Sequence, residues 1–212
     1  MSSGRVRVKI CGITEPETAL LAVELGAAAL GFIFYPRSPR YLPPPKAREI
    51  IALLPPLITT VGVFVDEDPS RIREIMDYVG LDLVQLHGRE SPETCALFFP
   101  RVIKALRLRG EEDLPQLDSY RGKVRGVLLE PYVKGLPGGT GRTLDWNLAL
   151  KARDYGLPLI LAGGLSPENI RQAVLTVRPY GVDVNSGVEK EPGRKDPERL
   201  RALFRALEGL GD

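Results

Sequence analysis

The chain has 212 residues, of which 43% are hydrophobic and 26% are charged, and its formal net charge is +2. This length is enough for one domain with a sizeable core, and no apolar run approaches the roughly 18 residues that a membrane span needs. The near balance of charge gives no reason to expect a nucleic-acid or membrane partner. Because the polar amino terminus lacks an apolar signal core, we expect a cytoplasmic protein.

The content of cysteine and histidine narrows the chemistry further. Cys11 and Cys95 are the two cysteines, they lie far apart, and His87 is the single histidine. This spacing argues against a disulfide framework and against a structural zinc site. We therefore predict free thiols and no metal.

Eight short strand-like runs recur along the chain, separated by segments whose apolar residues fall three and four apart, as in helices. Parallel neighbours need such helical crossovers, and eight units close into a barrel. We predict an α/β fold, a single-domain (β/α)8 TIM barrel over residues 1–212. An open doubly wound sheet is the alternative, but it would usually carry a glycine-rich motif after the first strand. The predicted strands are Arg5–Ile10, Ala29–Phe34, Thr59–Val65, Leu83–Leu86, Val102–Leu106, Gly126–Leu129, Pro158–Ala162 and Gly181–Val184.

Several of the predicted helices begin with a short polar residue one or two positions before a proline. The polar side chain can accept the free amide protons of a helix start, and proline suits the first helical turn. We predict helix caps at Thr14, Asp68, Ser91, Ser166 and Asp196.

In such barrels the active site lies at the carboxyl ends of the strands. Gly163 and Gly164 follow strand 7 and precede a helix, and Ser186 and Gly187 follow strand 8. Backbone N–H groups beside a helix start form an anion site, and we predict phosphate binding at these two loops. The alternative is that the glycines only allow tight turns.

Strand alternation places Lys9 and Cys11 on one face of the first strand, with Lys9 one layer below the thiol. By the same alternation Asp183 of strand 8 can point inward to pair with Lys9. We expect the Lys9 cation to lower the pKa of Cys11 and so raise its thiolate fraction. The alternative is that Lys9 and Asp183 only neutralise each other. For Cys11 itself the alternative is a small buried hydrophobe.

Seven segments together resemble the phosphoribosylanthranilate isomerase family nearly end to end and in family order. They are VKICGIT, GFIFYPRSPRYL, VGVFV, VQLHG, GGTGRTLDW, AGGLSPENI and DVNSGVE. The resemblance implies a (β/α)8 fold and conversion of N-(5′-phosphoribosyl)anthranilate into 1-(2-carboxyphenylamino)-1-deoxyribulose 5-phosphate. This Amadori rearrangement uses neither metal nor organic cofactor, and the resemblance implies that Cys11 is its general base.

The general acid is where the chain departs from the family, which usually has aspartate at the end of strand 6. Glu130 stands there, so a carboxyl group is kept with one more methylene, and we assign it the acid role. The resemblance also implies that Arg40 meets the anthranilate carboxylate. We predict that His87 and Asp183 contact substrate as well. The glycine-rich loop over residues 135–141 resembles a mobile active-site loop.

Three other functions stay open from the sequence. The chain could be another phosphosugar isomerase or epimerase on the same barrel, although metal-dependent ones need more histidines. It could also be a barrel that binds a phosphorylated ligand or a partner protein without turnover. Cys11 could also have a redox role, but no resolving cysteine lies near it in the sequence, which argues against this. A homodimer is left open too, because an exposed residue such as Tyr132 could serve a dimer face or the substrate.

Overall fold

A computed structural model describes residues 6–133 and 143–210 of the chain. Eight parallel strands close into a barrel in sequence order, and β1 pairs with both β2 and β8. The predicted (β/α)8 fold is therefore confirmed. The strands are β1 Arg7–Cys11, β2 Ala29–Ile33, β3 Thr59–Phe64, β4 Leu83–Leu86, β5 Val102–Leu108, β6 Gly126–Pro131, β7 Leu159–Leu161 and β8 Gly181–Val184.

Seven α-helices lie among the described residues, and five of them begin on a proline, whose fixed φ suits the first turn. The crossover from β5 to β6 is instead a 3-10 helix over Glu111–Tyr120 that contains Pro115. The α-helices are α1 Pro16–Glu24, α2 Pro44–Ile51, α3 Pro69–Val79, α4 Pro92–Ala96, α5 Trp146–Ala152, α6 Ile170–Val177 and α7 Pro197–Ala206. None of the described helices is both long and apolar enough to span a membrane.

The predicted helix caps are confirmed at three positions and wrong at two. Asp68, Ser91 and Asp196 accept backbone N–H bonds at the starts of α3, α4 and α7. Thr14 does not cap α1, because its hydroxyl donates to the carbonyl of Gly193. Ser166 precedes a turn rather than a helix, and α6 begins only at Ile170.

The segment after β8 departs from the simple strand and helix repeat. It forms a 3-10 turn over Ser186–Val188 and then an antiparallel hairpin of β9 Glu189–Glu191 and β10 Arg194–Lys195 before α7. The sequence analysis did not predict this hairpin. The predicted loop over residues 135–141 lies outside the described residues.

The inside of the barrel has an apolar part and a charged part. One buried interior cluster comes from β5, β6 and the residue after β7, and consists of Ile103, Ala105, Leu128 and Ala162. On the side where the barrel closes, Lys9 of β1 lies opposite Asp183 of β8 in the strand register. A charged pair inside a barrel is stable only when its members neutralise each other, so this pair fixes where β1 and β8 meet.

Candidate active site

A cavity of about 380 Å³ opens at the carboxyl ends of the barrel strands. Ile33, Tyr35 and Val63, from β2, β3 and the loop after β2, give it an apolar wall. The nine residues predicted as catalytic, substrate-binding or phosphate-binding all line this one cavity: Cys11, Arg40, His87, Glu130, Gly163, Gly164, Asp183, Ser186 and Gly187.

Cys11 is the last residue of β1 and Glu130 lies within β6, so both stand on rigid strand ends rather than in the loops beyond them. The two strands lie on different sides of the barrel, and both side chains reach the same space. A thiol and a carboxyl group can therefore act on one bound molecule from two directions.

Lys9 forms the floor beneath Cys11, as the strand alternation predicts. Its Nζ lies 2.7 Å from Asp183 Oδ1, and both side chains are buried. Gly31 of β2 pairs with Cys11 in the strand register, and its lack of a side chain leaves space for the Lys9 side chain. A Cβ at Gly31 would lie 2.8 Å from Cys11 Sγ and 2.9 Å from Lys9 Nζ. The sulfur and the ammonium thus share the space that glycine vacates.

Burial raises the pKa of the Cys11 thiol above its ordinary value, although the Lys9 cation acts in the opposite direction. The expected lowering is therefore wrong in its net direction. The thiol is only 3% exposed, so desolvation of the thiolate outweighs the attraction of the ammonium. A raised pKa makes the thiolate scarcer at neutral pH and also a stronger base.

Glu130 is held by His87, whose Nε2 lies 2.7 Å from Glu130 Oε1. The other ring nitrogen, Nδ1, lies 2.8 Å from Nε2 of Gln85 on β4. Gln85 did not appear among the residues expected from the sequence. A signal for it existed, since it stands two residues before His87 and so shares its face of the strand.

Arg40 is buried, and its guanidinium forms a two-pronged ion pair with Glu189, at 2.9 Å from Nε and 2.7 Å from Nη2. Lys195 of the hairpin approaches the same carboxylate to 3.0 Å and also binds Asn185. Glu189 and Lys195 were both missed. Glu189 is the last residue of the DVNSGVE segment, so the sequence offered a signal for it. No local pattern marks Lys195, which reaches Glu189 only when the hairpin folds.

The loops after β7 and β8 pack against each other. A Cβ at Gly187 would lie 1.9 Å from the carbonyl oxygen of Leu165, so only glycine allows this approach. Gly163 and Gly164 both have positive φ, of 86° and 60°. The N–H groups of Gly164 and Gly187 have no acceptor among the described residues. Free backbone donors that converge on a cavity are suited to an anion such as phosphate.

In the described part of the chain, no three His, Cys, Asp or Glu side chains come together as metal ligands would. The closed parallel barrel, with a thiol, a carboxyl group and an anion cradle around one cavity at the strand ends, defines an enzyme of the (β/α)8-barrel class.

The chain belongs to the N-(5′-phosphoribosyl)anthranilate (PRA) isomerase family, whose family model matches residues 8–206. It is 51% identical over 204 residues to the N-(5′-phosphoribosyl)anthranilate isomerase of Pseudomonas syringae pv. tomato, covering 96% of this chain and 98% of that relative.

Solved structures give the same family. The crystal structure of phosphoribosyl anthranilate isomerase from Thermotoga maritima has a TM-score of 0.89 and 46% identity, covering 97% of this chain and all of that one, 100%. A structure of the isomerase in complex with reduced 1-(o-carboxyphenylamino)-1-deoxyribulose 5-phosphate has a TM-score of 0.86 and 45% identity, with the same coverage of both chains.

Proposed function

We propose that the chain converts N-(5′-phosphoribosyl)anthranilate into 1-(2-carboxyphenylamino)-1-deoxyribulose 5-phosphate in tryptophan biosynthesis, with Cys11 as general base and Glu130 as general acid. The observation that carries this proposal is that both groups line one cavity beside the phosphate-type loops. The reaction needs a proton donor and a proton acceptor, each worth roughly 10²- to 10⁴-fold in rate. No cofactor is part of the proposal.

In the first step the carboxyl group of Glu130 donates its proton to the furanose ring oxygen. The bond from that oxygen to C1′ breaks, and the nitrogen lone pair forms the C1′=N bond of a Schiff base. The negative charge that appears on Glu130 is stabilised by the neighbouring ring of His87, which lies at hydrogen-bond distance.

In the second step the thiolate of Cys11 removes the proton from C2′. The electron pair forms a C1′=C2′ double bond, the C1′=N π electrons return to nitrogen, and the resulting enolamine tautomerises to the ketone. The raised pKa of the thiol suits this step, because a strong base is needed to take a proton from carbon. The Lys9 cation beneath the sulfur lowers the cost of burying the thiolate, which would otherwise be a buried charge without a counter-ion.

The remaining predicted contacts hold the two ends of the substrate. The loops at Gly164 and Gly187 receive the phosphate, and the apolar wall receives the anthranilate ring. Arg40 meets the ring carboxylate from its place at the cavity edge, where Glu189 fixes its guanidinium plane. Asp183 and His87 complete the lining around the ribose.

The test follows the loss of anthranilate-type fluorescence when purified protein meets freshly made phosphoribosylanthranilate. Wild type should turn over, and both Cys11→Ala and Glu130→Gln should lose roughly 10²-fold or more in kcat. Near full kcat in Glu130→Gln would remove the acid assignment. Phosphate-dependent binding with no turnover by wild type would mean a ligand-binding barrel instead of an enzyme.

We also propose a homodimer and a cytoplasmic location. Leu57 is 100% exposed in the turn before β3, and Leu53, four positions earlier in the chain, is 56% exposed. Burying these two leucines against a partner surface would stabilise a dimer by removing apolar surface from water. Sedimentation of wild type as a dimer and of Leu57→Lys as a monomer supports this face, and a monomeric wild type refutes it. Cell fractionation tests the location.

A further inference from the structure

Three side chains that line the cavity form a hydrogen-bonded row. Gln85 is 1% exposed, and its amide nitrogen lies 2.8 Å from His87 Nδ1. His87 Nε2 in turn lies 2.7 Å from Glu130 Oε1. Gln85 therefore influences which ring nitrogen of His87 bears a proton, and His87 influences which oxygen of Glu130 does.

The direction of these bonds follows from the donor inventory of the groups. An amide nitrogen only donates, so Nδ1 of His87 accepts and bears no proton. A neutral imidazole has one proton, which must then lie on Nε2 and point to Glu130. Turning the Gln85 amide round would let Oε1 accept from Nδ1–H but would leave both amide N–H groups buried without an acceptor. The present orientation leaves only Oε1 unpaired among the described residues, and an unpaired buried carbonyl oxygen is less costly than unpaired N–H donors.

The consequence concerns which oxygen of Glu130 holds the acid proton. Oε1 accepts the His87 Nε2–H bond, so a proton on Oε1 would meet another proton. Oε2 is left as the oxygen that can carry it.

We propose that Gln85 is a positioning residue, which fixes His87 as the neutral Nε2–H tautomer and thereby places the acid proton of Glu130 on Oε2. This inference rests on the proposed acid role of Glu130. Gln85 acts through His87 and need not touch the reacting atoms.

The chain allows a direct test, because His87 is its single histidine and gives one pair of ring-nitrogen NMR signals. Protein labelled with ¹⁵N-histidine should show a proton-bearing Nε2 and a proton-free Nδ1 at neutral pH. A ring protonated on Nδ1, or on both nitrogens, overturns the proposal without any variant.

Two substitutions of similar size then separate the tautomer from packing. In Gln85→Glu the carboxylate can only accept, so Nδ1 should gain a proton. In Gln85→Met the ring loses its donor, and the Nδ1-protonated fraction should rise. Both variants should lose roughly 10- to 100-fold in kcat, the size expected when a reacting group is misdirected, with KM changed by less than about threefold. Gln172→Met on the exposed face of α6 is the matched control and should leave both readouts unchanged.

The two proposals fail in different ways. If Glu130→Gln keeps its kcat, the acid role is wrong, whatever the histidine signals show. If Glu130→Gln is inactive while Gln85→Met keeps both the wild-type ring signals and kcat, the acid role stands and the role of Gln85 is wrong. Circular dichroism establishes that each variant is folded before it is scored, and the wild-type spectrum decides the tautomer if neither Gln85 variant folds.

Discussion

Lys9 Nζ lies 2.7 Å from Asp183 Oδ1 beneath the thiol of Cys11, so a buried ion pair joins β1 to β8, the strand that closes the barrel. The pair serves two purposes, because it closes the barrel and also places a cation near the thiolate.

Lys9→Met removes that cation and leaves Asp183 buried without a counter-ion. We expect the free energy of unfolding to fall by about 3–5 kcal/mol, the usual cost of breaking a buried pair. Burial already raises the pKa of Cys11, and loss of the Lys9 charge should raise it further. The rising limb of kcat/KM against pH should therefore move to higher pH.

The matched control is the double variant Lys9→Met with Asp183→Asn, in which no buried charge is left alone. Its stability in urea should recover much of the loss. An unmoved rising limb in Lys9→Met would show that Lys9 has no influence on the thiol and serves only as the partner of Asp183.

Gly31→Ala places a methyl group 2.8 Å from Cys11 Sγ and 2.9 Å from Lys9 Nζ, distances at which one of them must move. A shift of about 1 Å at a reacting atom can cost as much as 10²-fold in rate. We expect kcat to fall by roughly that amount, measured by the fluorescence assay. Inhibition by inorganic phosphate should be unchanged, because the phosphate loops follow β7 and β8. A variant with wild-type kcat would contradict the packing described around the thiol.

Gly187→Ala places a methyl group 1.9 Å from the carbonyl oxygen of Leu165, a backbone atom that cannot rotate away. The loops after β7 and β8 must separate, so binding of inorganic phosphate should weaken by about tenfold or more, the loss of one good hydrogen bond to a charged group. Competitive inhibition by phosphate measures this. The control is Gly209→Ala, where the methyl group meets nothing within 4 Å and the positive φ of 71° strains only the backbone after α7, outside the cavity lining. Equal phosphate affinity in both variants would place the anion elsewhere.

Glu189 gives a prediction for acid stability. Burial alone would raise its pKa, but the hydrogen bond from Arg40 and the charge of Lys195 outweigh this and hold the pKa below its ordinary value. The carboxylate therefore stabilises the fold above its unfolded pKa near 4, and this contribution is lost as pH falls through the lowered pKa.

Glu189→Gln should lower the free energy of unfolding by about 3–5 kcal/mol at pH 7, because Arg40 and Lys195 lose a buried partner. The gap to wild type should narrow at an acidic pH below the lowered pKa of Glu189, where wild type also loses the charge. Urea unfolding at the two pH values measures it. Glu198→Gln, at an exposed ion pair, should change stability by less than about 1 kcal/mol at either pH. A gap for Glu189→Gln that is constant with pH would refute the charge argument.

Much of this arrangement could be predicted from alternation along the strands. The alternation of side chains along β1 and β8 predicted that Lys9, Cys11 and Asp183 lie on the inner face of the barrel, and the structure has them there. The net direction of the Cys11 pKa could not be predicted, since it depends on how completely the thiol is buried. Lys195 could not be found either, because a hairpin outside the repeat brings it to the Glu189 carboxylate that holds Arg40.

The contacts across the barrel closure also bear on when activity is acquired. Lys9 and Asp183 are 174 positions apart, Arg40 and Glu189 are 149 apart, and Thr14 and Gly193 are 179 apart. Contacts between such distant positions form slowly, because a long loop must close before they can contribute. During synthesis the chain therefore has no complete substrate site until β8 and the hairpin of β9 and β10 have been made. In refolding, helix content should return first and turnover last. The enzyme assay therefore reports when the contacts between β1 and β8 and those made by the hairpin have formed.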